Sequence, residues 1–177
     1  AIPGQKWLLG PEGVGALYIR RDLIRQVQPT FVAGRAAVSA SNPYGFEPNV
    51  ETMDKFLLTS TSVALQAGTL EAIKFINDTG VASIEERNLD LSTIMKQALI
   101  NVPGINLLCP MVRQDSTGLV TLTIDGIAPE EAVTRLWQEH RIVCRQVSFP
   151  PGLRISLHFF NTEEEVEQVV GALKGLV

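Results

Sequence analysis

Gly4-Gln5-Lys6-Trp7-Leu8-Leu9-Gly10-Pro11-Glu12-Gly13-Val14-Gly15-Ala16-Leu17-Tyr18-Ile19 sets a lysine beside a compact, glycine-punctuated turn that feeds a stretch alternating small and large apolar residues. Such a segment can present an amine to a carbonyl group. Taken alone, Lys6 reads as a surface lysine before a turn, because exposed lysines are the rule. Its neighbours offer a second reading. Trp7, Leu8 and Leu9 make its surroundings apolar, and a desolvated amine sheds its proton more easily and becomes nucleophilic. Gly10, Gly13 and Gly15 form G-x-x-G-x-G, which is neither a dinucleotide nor a phosphate-loop spacing, and no Lys-Ser or Lys-Thr pair follows. The glycines are expected to let the backbone pass close to the lysine and re-enter a sheet.

The wider composition sets bounds on this reading. Over 177 residues the apolar share is 45% and the mean hydropathy is +0.15, enough for a buried core and unlike a disordered chain. Fifteen basic against 19 acidic residues leave a net charge of −4, which gives no electrostatic case for nucleic acid or an anionic membrane. No apolar run approaches membrane-spanning length, and no charged-then-apolar leader opens the sequence. The start, Ala1-Ile2-Pro3-Gly4, lacks an initiator Met and reads as the interior of a longer chain. Cys109 and Cys144 are the only cysteines and nothing near them has metal-ligand spacing, so no metal site is expected. Lone thiols suit a reducing cytoplasm.

Apolar periodicity divides the chain into an opening piece, a connector and a compact C-terminal unit. A strand is expected over Gly15 to Arg20, then a short helical turn capped by Asp22 and ending near Pro29. From Gly34 to Asp54 the run containing Ser39, Ser41, Asn42, Pro43, Gly45, Pro48 and Asn49 reads as a long functional or mobile loop. A helix is expected over Ser62 to Asn77, with Val63, Leu65, Leu70, Ile73 and Ile76 apolar, closed by Asp78-Thr79-Gly80. A second starts at Ser83, where Glu86 completes a capping-box spacing. Beyond it the expected elements are strands over Ile105–Cys109 and Leu119–Asp125 and a helix over Pro129–His140. Strands over Ile142–Val147 and Leu153–Phe159 and a helix over Thr162–Leu173 complete them. Pro129 suits a first helical position and Thr162 with Glu165 repeats the capping box. The pattern is α/β, layered.

Two further constellations could carry chemistry. In Leu153-Arg154-Ile155-Ser156-Leu157-His158-Phe159 strand alternation puts Arg154, Ser156 and His158 on the face opposite the apolar residues. A half-buried guanidinium needs an anion, so Arg154 is either in a structural ion pair or a receptor for a carboxylate. Thr59-Ser60-Thr61-Ser62 places hydroxyls before a helix, where they serve as N-caps or meet a phosphate.

The lysine segment and the Arg154 strand running into Asn161-Thr162-Glu163-Glu164-Glu165 resemble the class V aminotransferase and cysteine desulfurase-like family of fold-type I pyridoxal-phosphate enzymes. The resemblance runs from Ile2 to Leu173 and implies the C-terminal half of such an enzyme. Residues 1–80 would be the end of the large cofactor domain with a connector helix. Residues 81–177 would be the small domain, an antiparallel sheet backed by helices. It implies that Lys6 forms a Schiff base with pyridoxal phosphate, with Gln5 beside it where many members have His. It further implies that Arg154 takes the substrate α-carboxylate, and that Ser60, with Thr59 before it, reaches the cofactor phosphate of the neighbouring subunit of a homodimer. The remaining cofactor contacts would come from the other half of the enzyme, so the 177-residue chain alone is expected to be inactive. Desulfurases need a nucleophilic cysteine in the loop between the last two strands, and Ser148-Phe149-Pro150-Pro151-Gly152 has none. A carbon–sulfur lyase acting on cysteine or cystine is therefore preferred. A class V aminotransferase or an epimerase, and a non-catalytic interaction module, are the alternatives.

Overall fold

The computed structural model describes residues 1–41 and 45–177, and its chain divides into two units, Ala1–Asp78 and Thr79–Val177. In the first, β1 (Ile2–Pro3) pairs antiparallel with β2 (Gly15–Ala16). The expected strand over Gly15 to Arg20 is thus only two residues long, and the helical turn after it is a 3-10 turn over Arg21–Leu23 with no side-chain cap. Asp22 lies inside that turn and pairs instead with Arg20 at 2.7 Å.

The segment expected to be a long loop contains a hairpin, β3 (Ala37–Ser41) against β4 (Gly45–Pro48), between two further 3-10 turns. Asn42 and Pro43 lie outside the described residues. The hairpin gave no apolar alternation to detect because polar pairs such as Ser39 and Glu47, 3.3 Å apart, face each other across it. Helix α1 spans Val63–Thr79. Of its expected apolar stripe only Ile76 is buried, while Val63, Leu70 and Ile73 are exposed. Its packed face is instead Leu65, Gly68 and Ala72, spaced as one side of a helix, and these meet Gly13, Pro11 and Gly10.

The second unit holds the core. Helix α2 (Val81–Leu99) is followed by β5 (Ile105–Leu107), β6 (Leu119–Ile124), α3 (Pro129–His140), β7 (Arg145–Ser148), β8 (Pro151–Ser156) and α4 (Glu163–Lys174). The four strands form one antiparallel sheet in the order β5-β6-β8-β7. Leu91, Met95 and Leu99 of α2, Leu136 of α3 and Val166 and Leu173 of α4 close over Val120, Leu122, Leu153 and Ile155. All three helices therefore pack on one face of the sheet.

Local chemistry explains the boundaries. Pro129 opens α3, and Arg141, in the left-handed region at φ 58°, ends it. Thr162 and Glu165 make the expected capping box on α4. The box expected at Ser83 does not form. Gly80, at φ 93°, turns the chain early so that α2 begins at Val81, and Glu86 is drawn to Arg113 at 3.3 Å.

Candidate active-site residues

Lys6 sits in a turn fixed by backbone hydrogen bonds. Gly4 N–H donates to the Val14 carbonyl at 2.8 Å, Gly10 N–H to Gly4 at 2.8 Å, and Leu9 N–H to the Lys6 carbonyl at 2.9 Å. The close approach requires glycine: a Cβ on Gly4 would lie 2.7 Å from the Val14 carbonyl oxygen, and one on Gly15 2.6 Å from that of Ile2. Helix α1 supports the turn through its Leu65, Gly68 and Ala72 face. The expected burial of the amine is not there. Gln5 and Lys6 are exposed, and Trp7 and Leu9 beside them are 39% and 40% exposed. A hairpin of two-residue strands has no second layer with which to cover them.

Thr59 and Ser60 lie just ahead of α1 and line a cavity of about 200 Å³ with Arg35. Capping of the helix falls to their neighbours. Ser62 Oγ accepts from Leu65 N–H at 3.4 Å, and Thr61 Oγ1 accepts from Gln66 Nε2 at 2.6 Å. Among the described residues the Thr59 and Ser60 hydroxyls have no such task.

Arg154 belongs to the second unit, in the middle of β8. Across the sheet it faces Thr121 of β6 on one side and Arg145 of β7 on the other, in register. This row lies on the face that carries no helix. Arg154 Nε is buried without a hydrogen-bond partner, and among the described residues no acidic group pairs with its guanidinium. The structural ion pair that would have accounted for Arg154 is therefore not present among them. Like charges directly opposite on a sheet repel, so the Arg145–Arg154 pair favours an anion between them. Sequence reasoning missed Arg145. Its signal was the spacing of the hairpin, which brings the two arginines opposite each other once the two-residue turn at Phe149-Pro150 is recognised.

His158 does not share that face as expected. The strand stops at Ser156, and His158 is 8% exposed in the turn beyond it. Its Nδ1 accepts from Phe159 N–H at 2.8 Å while its own N–H donates to Asn161 Oδ1 at 2.8 Å. It serves the turn that leads to α4. Trp137 is half exposed under Arg141, whose guanidinium lies 5.2 Å from the ring centroid.

The thiols are placed apart from the β7–β8 turn. Cys144 precedes β7 and packs against the core, and burial pushes its pKa up to about 11. Cys109 is likewise half-buried against the core. Among the described residues no group of His, Cys, Asp and Glu could hold a metal ion, and no helix is long and apolar enough to cross a membrane.

Comparison with known proteins gives this geometry a setting. The sequence model of the family described as Aminotransferase class-V matches residues 1–169. Isopenicillin N epimerase of Streptomyces clavuligerus is 30% identical over 183 residues, covering 98% of this chain and 46% of its own length. A probable cysteine desulfurase of Staphylococcus epidermidis is 26% identical, covering 94% of this chain and 42% of its own. Among solved structures, a cystine C-S lyase in complex with its reaction product cysteine persulfide superposes with a TM-score of 0.84 at 26% identity. It covers 98% of this chain and 45% of that one. The chain thus spans less than half the length of the relatives it matches.

Proposed function

Because the chain belongs to the aminotransferase class-V family of pyridoxal-phosphate enzymes, we propose that it is the C-terminal part of one that acts on an α-amino acid. The observation that carries this reading is Arg154, a guanidinium on the sheet face that carries none of its unit's helices, with a buried Nε that lacks a hydrogen-bond partner. A carboxylate would give it the missing acceptor, and Arg145 opposite adds a second positive charge. Lys6, held out by a turn that only glycines at 4 and 15 permit, would hold the cofactor through its Nζ and then return and remove the proton at the substrate α-carbon. Thr59 and Ser60, with hydroxyls not used in capping, would meet the cofactor phosphate of a neighbouring subunit in a cytoplasmic homodimer. When bound, the cofactor supplies an electron sink for the charge developed at the α-carbon. These residues fit such a group.

Among the chemistries open to this family we favour carbon–sulfur elimination from cysteine or cystine. The β7–β8 turn carries Phe149 and Pro150 in place of a thiol, and Cys144, held protonated by burial, is a poor nucleophile. Elimination needs no protein persulfide. Epimerisation is the second reading, supported by the 30% identical epimerase, since it needs only proton transfer at the same carbon.

The test is chemical. Borohydride reduction of the full-length, cofactor-loaded protein should fix the cofactor on the peptide containing Lys6, and Lys6→Ala should lose both that adduct and turnover. Labelling on another lysine would remove Lys6 from the site. Pyruvate released together with sulfide from cysteine, or with cysteine persulfide from cystine, would favour the lyase, and interconversion of D- and L-amino acids the epimerase.

A further inference from the structure

Asn49 ties together two short turns of the first unit. Its backbone N–H donates to the Ala36 carbonyl at 2.7 Å, and its side-chain amide donates to the Arg35 carbonyl at 3.4 Å. The same amide donates to Thr52 Oγ1 at 2.7 Å, and Thr52 caps the next turn by accepting from Asp54 N–H at 3.4 Å. The 3-10 turn over Gly34–Ala36 is thereby fixed against that over Met53–Phe56. Ala36, buried, seats the first turn, and Leu57 N–H closes the second on the Asp54 carbonyl at 2.9 Å. Arg35 stands in the middle of the first turn, and Leu57, Leu58, Thr59 and Ser60 follow the second. These residues line the cavity of about 200 Å³.

The cavity is open, and the charge on its wall is positive. A Cβ on Gly34 would meet nothing within 4 Å, so the space over Gly34, next to Arg35, is free of other side chains. One water needs only about 10–15 Å³ of such room, and a polyatomic ion therefore fits. None of the lining residues is acidic. Among the described residues no acidic group pairs with the Arg35 guanidinium. Glu47 faces Ser39 at 3.3 Å, and Glu51 pairs with Arg25 at 2.5 Å. The Thr59 and Ser60 hydroxyls can orient a phosphate but bring it no countercharge. A dianion drawn out of water needs one.

We propose that Arg35 grips the phosphate group of the cofactor together with Thr59 and Ser60 and supplies the positive charge of that subsite. The inference rests on the reading of Thr59 and Ser60 as phosphate contacts and adds the cation to them. A guanidinium fork matches two phosphate oxygens at once. The Asn49 bonds hold the backbone on either side of the cavity in place before the ion arrives, which lowers the ordering cost of binding.

The experiment measures binding of pyridoxal phosphate and of pyridoxal to the full-length apoenzyme by absorbance. The two share the aldehyde that Lys6 would take and differ in the phosphate. Arg35→Ala should weaken pyridoxal phosphate about ten- to hundredfold and leave pyridoxal unchanged. Arg35→Gln, which keeps most of the side chain's length, should show the same selective loss. Arg35→Lys should recover part of it, since it keeps the charge without the fork. Equal weakening of both compounds, or of neither, would overturn the assignment, because only a phosphate contact separates them. Thr59→Ala combined with Ser60→Ala tells the two claims apart. If that pair loses the preference for pyridoxal phosphate and Arg35→Ala does not, the hydroxyl reading stands and Arg35 leaves the subsite. If neither loses it, the phosphate lies elsewhere and both claims fail.

Discussion

Arg154 and Arg145 show how one pair of residues constrains what a protein binds. Two guanidiniums in register on adjacent strands repel, and a buried Nε without an acceptor costs desolvation that nothing nearby returns. An arrangement of that kind persists when an anion completes it. Removing one partner of a desolvated charge pair costs roughly 3–5 kcal/mol. Arg154→Ala in the full-length enzyme should accordingly raise KM for amino acids by roughly two to four orders of magnitude. Arg154→Lys should rescue little of it, because an ammonium lacks the planar fork that grips both carboxylate oxygens. Steady-state kinetics with an amino acid and its decarboxylated amine would check this: the amine's KM should be insensitive to the substitution. Equal effects on both would mean that Arg154 does not read the carboxylate. Arg154 could be picked out as half-buried and needing an anion from strand alternation alone. The exposure of Lys6 could not, since apolar neighbours in sequence bury an amine only if another layer covers them.

Among elements, those with chemical signals at their ends were legible before the fold was known. Helix α3 was expected at Pro129–His140 and is found there, with proline at its start and a left-handed residue at its end. Helix α4 followed from its capping box. Segments governed by backbone pairing or small-residue contacts were not legible. The β3–β4 hairpin has no apolar alternation, and the packed face of α1 is built from Gly68 and Ala72, which no hydropathy pattern marks.

The α2–α4 junction gives an element-scale prediction. Arg87 of α2 forms a forked ion pair with Glu163 at the start of α4, one arm at 2.8 Å, and also donates to the Asn161 carbonyl at 3.0 Å. The hydrogen bond from Arg87 holds the Glu163 carboxyl down from 4.5 to about 2. A carboxyl depressed in the folded state stabilises fully above its unfolded value and loses that contribution as pH falls through its folded value. The thermal midpoint of the wild type should therefore exceed that of Glu163→Gln above pH 5. The gap should close between pH 4.5 and about pH 2. Because the pair is exposed to solvent, added salt should shrink it. A gap constant across that range would detach Glu163 from Arg87.

At the scale of the molecule, apolar burial is unevenly divided. Every buried residue of the core cluster lies between Leu91 and Leu176, whereas among the described residues of the first unit the buried hydrophobic ones are Ala36 and Ile76. The first unit instead buries Lys55, whose Nζ donates to the Ile24 carbonyl and lies 5.2 Å from the Phe56 ring centroid. It leaves Tyr18, Phe31, Val32 and Val63 from 61% to 78% exposed. Cooperative stability follows buried apolar contact, and segments poor in it open first. Amide exchange on the 177-residue chain should therefore show its slowest protons in β6, β8 and α2, all in the second unit. Residues 1–62 should exchange faster by orders of magnitude, through local opening that leaves the sheet intact. In the full-length enzyme the slow protons should extend into the lysine turn, at Gly4 and Gly10, if those exposed side chains are covered there as the proposed cofactor site requires. Fast exchange at both glycines in the cofactor-loaded, full-length protein would show that the turn stays uncovered and would count against Lys6 as the residue that holds the cofactor.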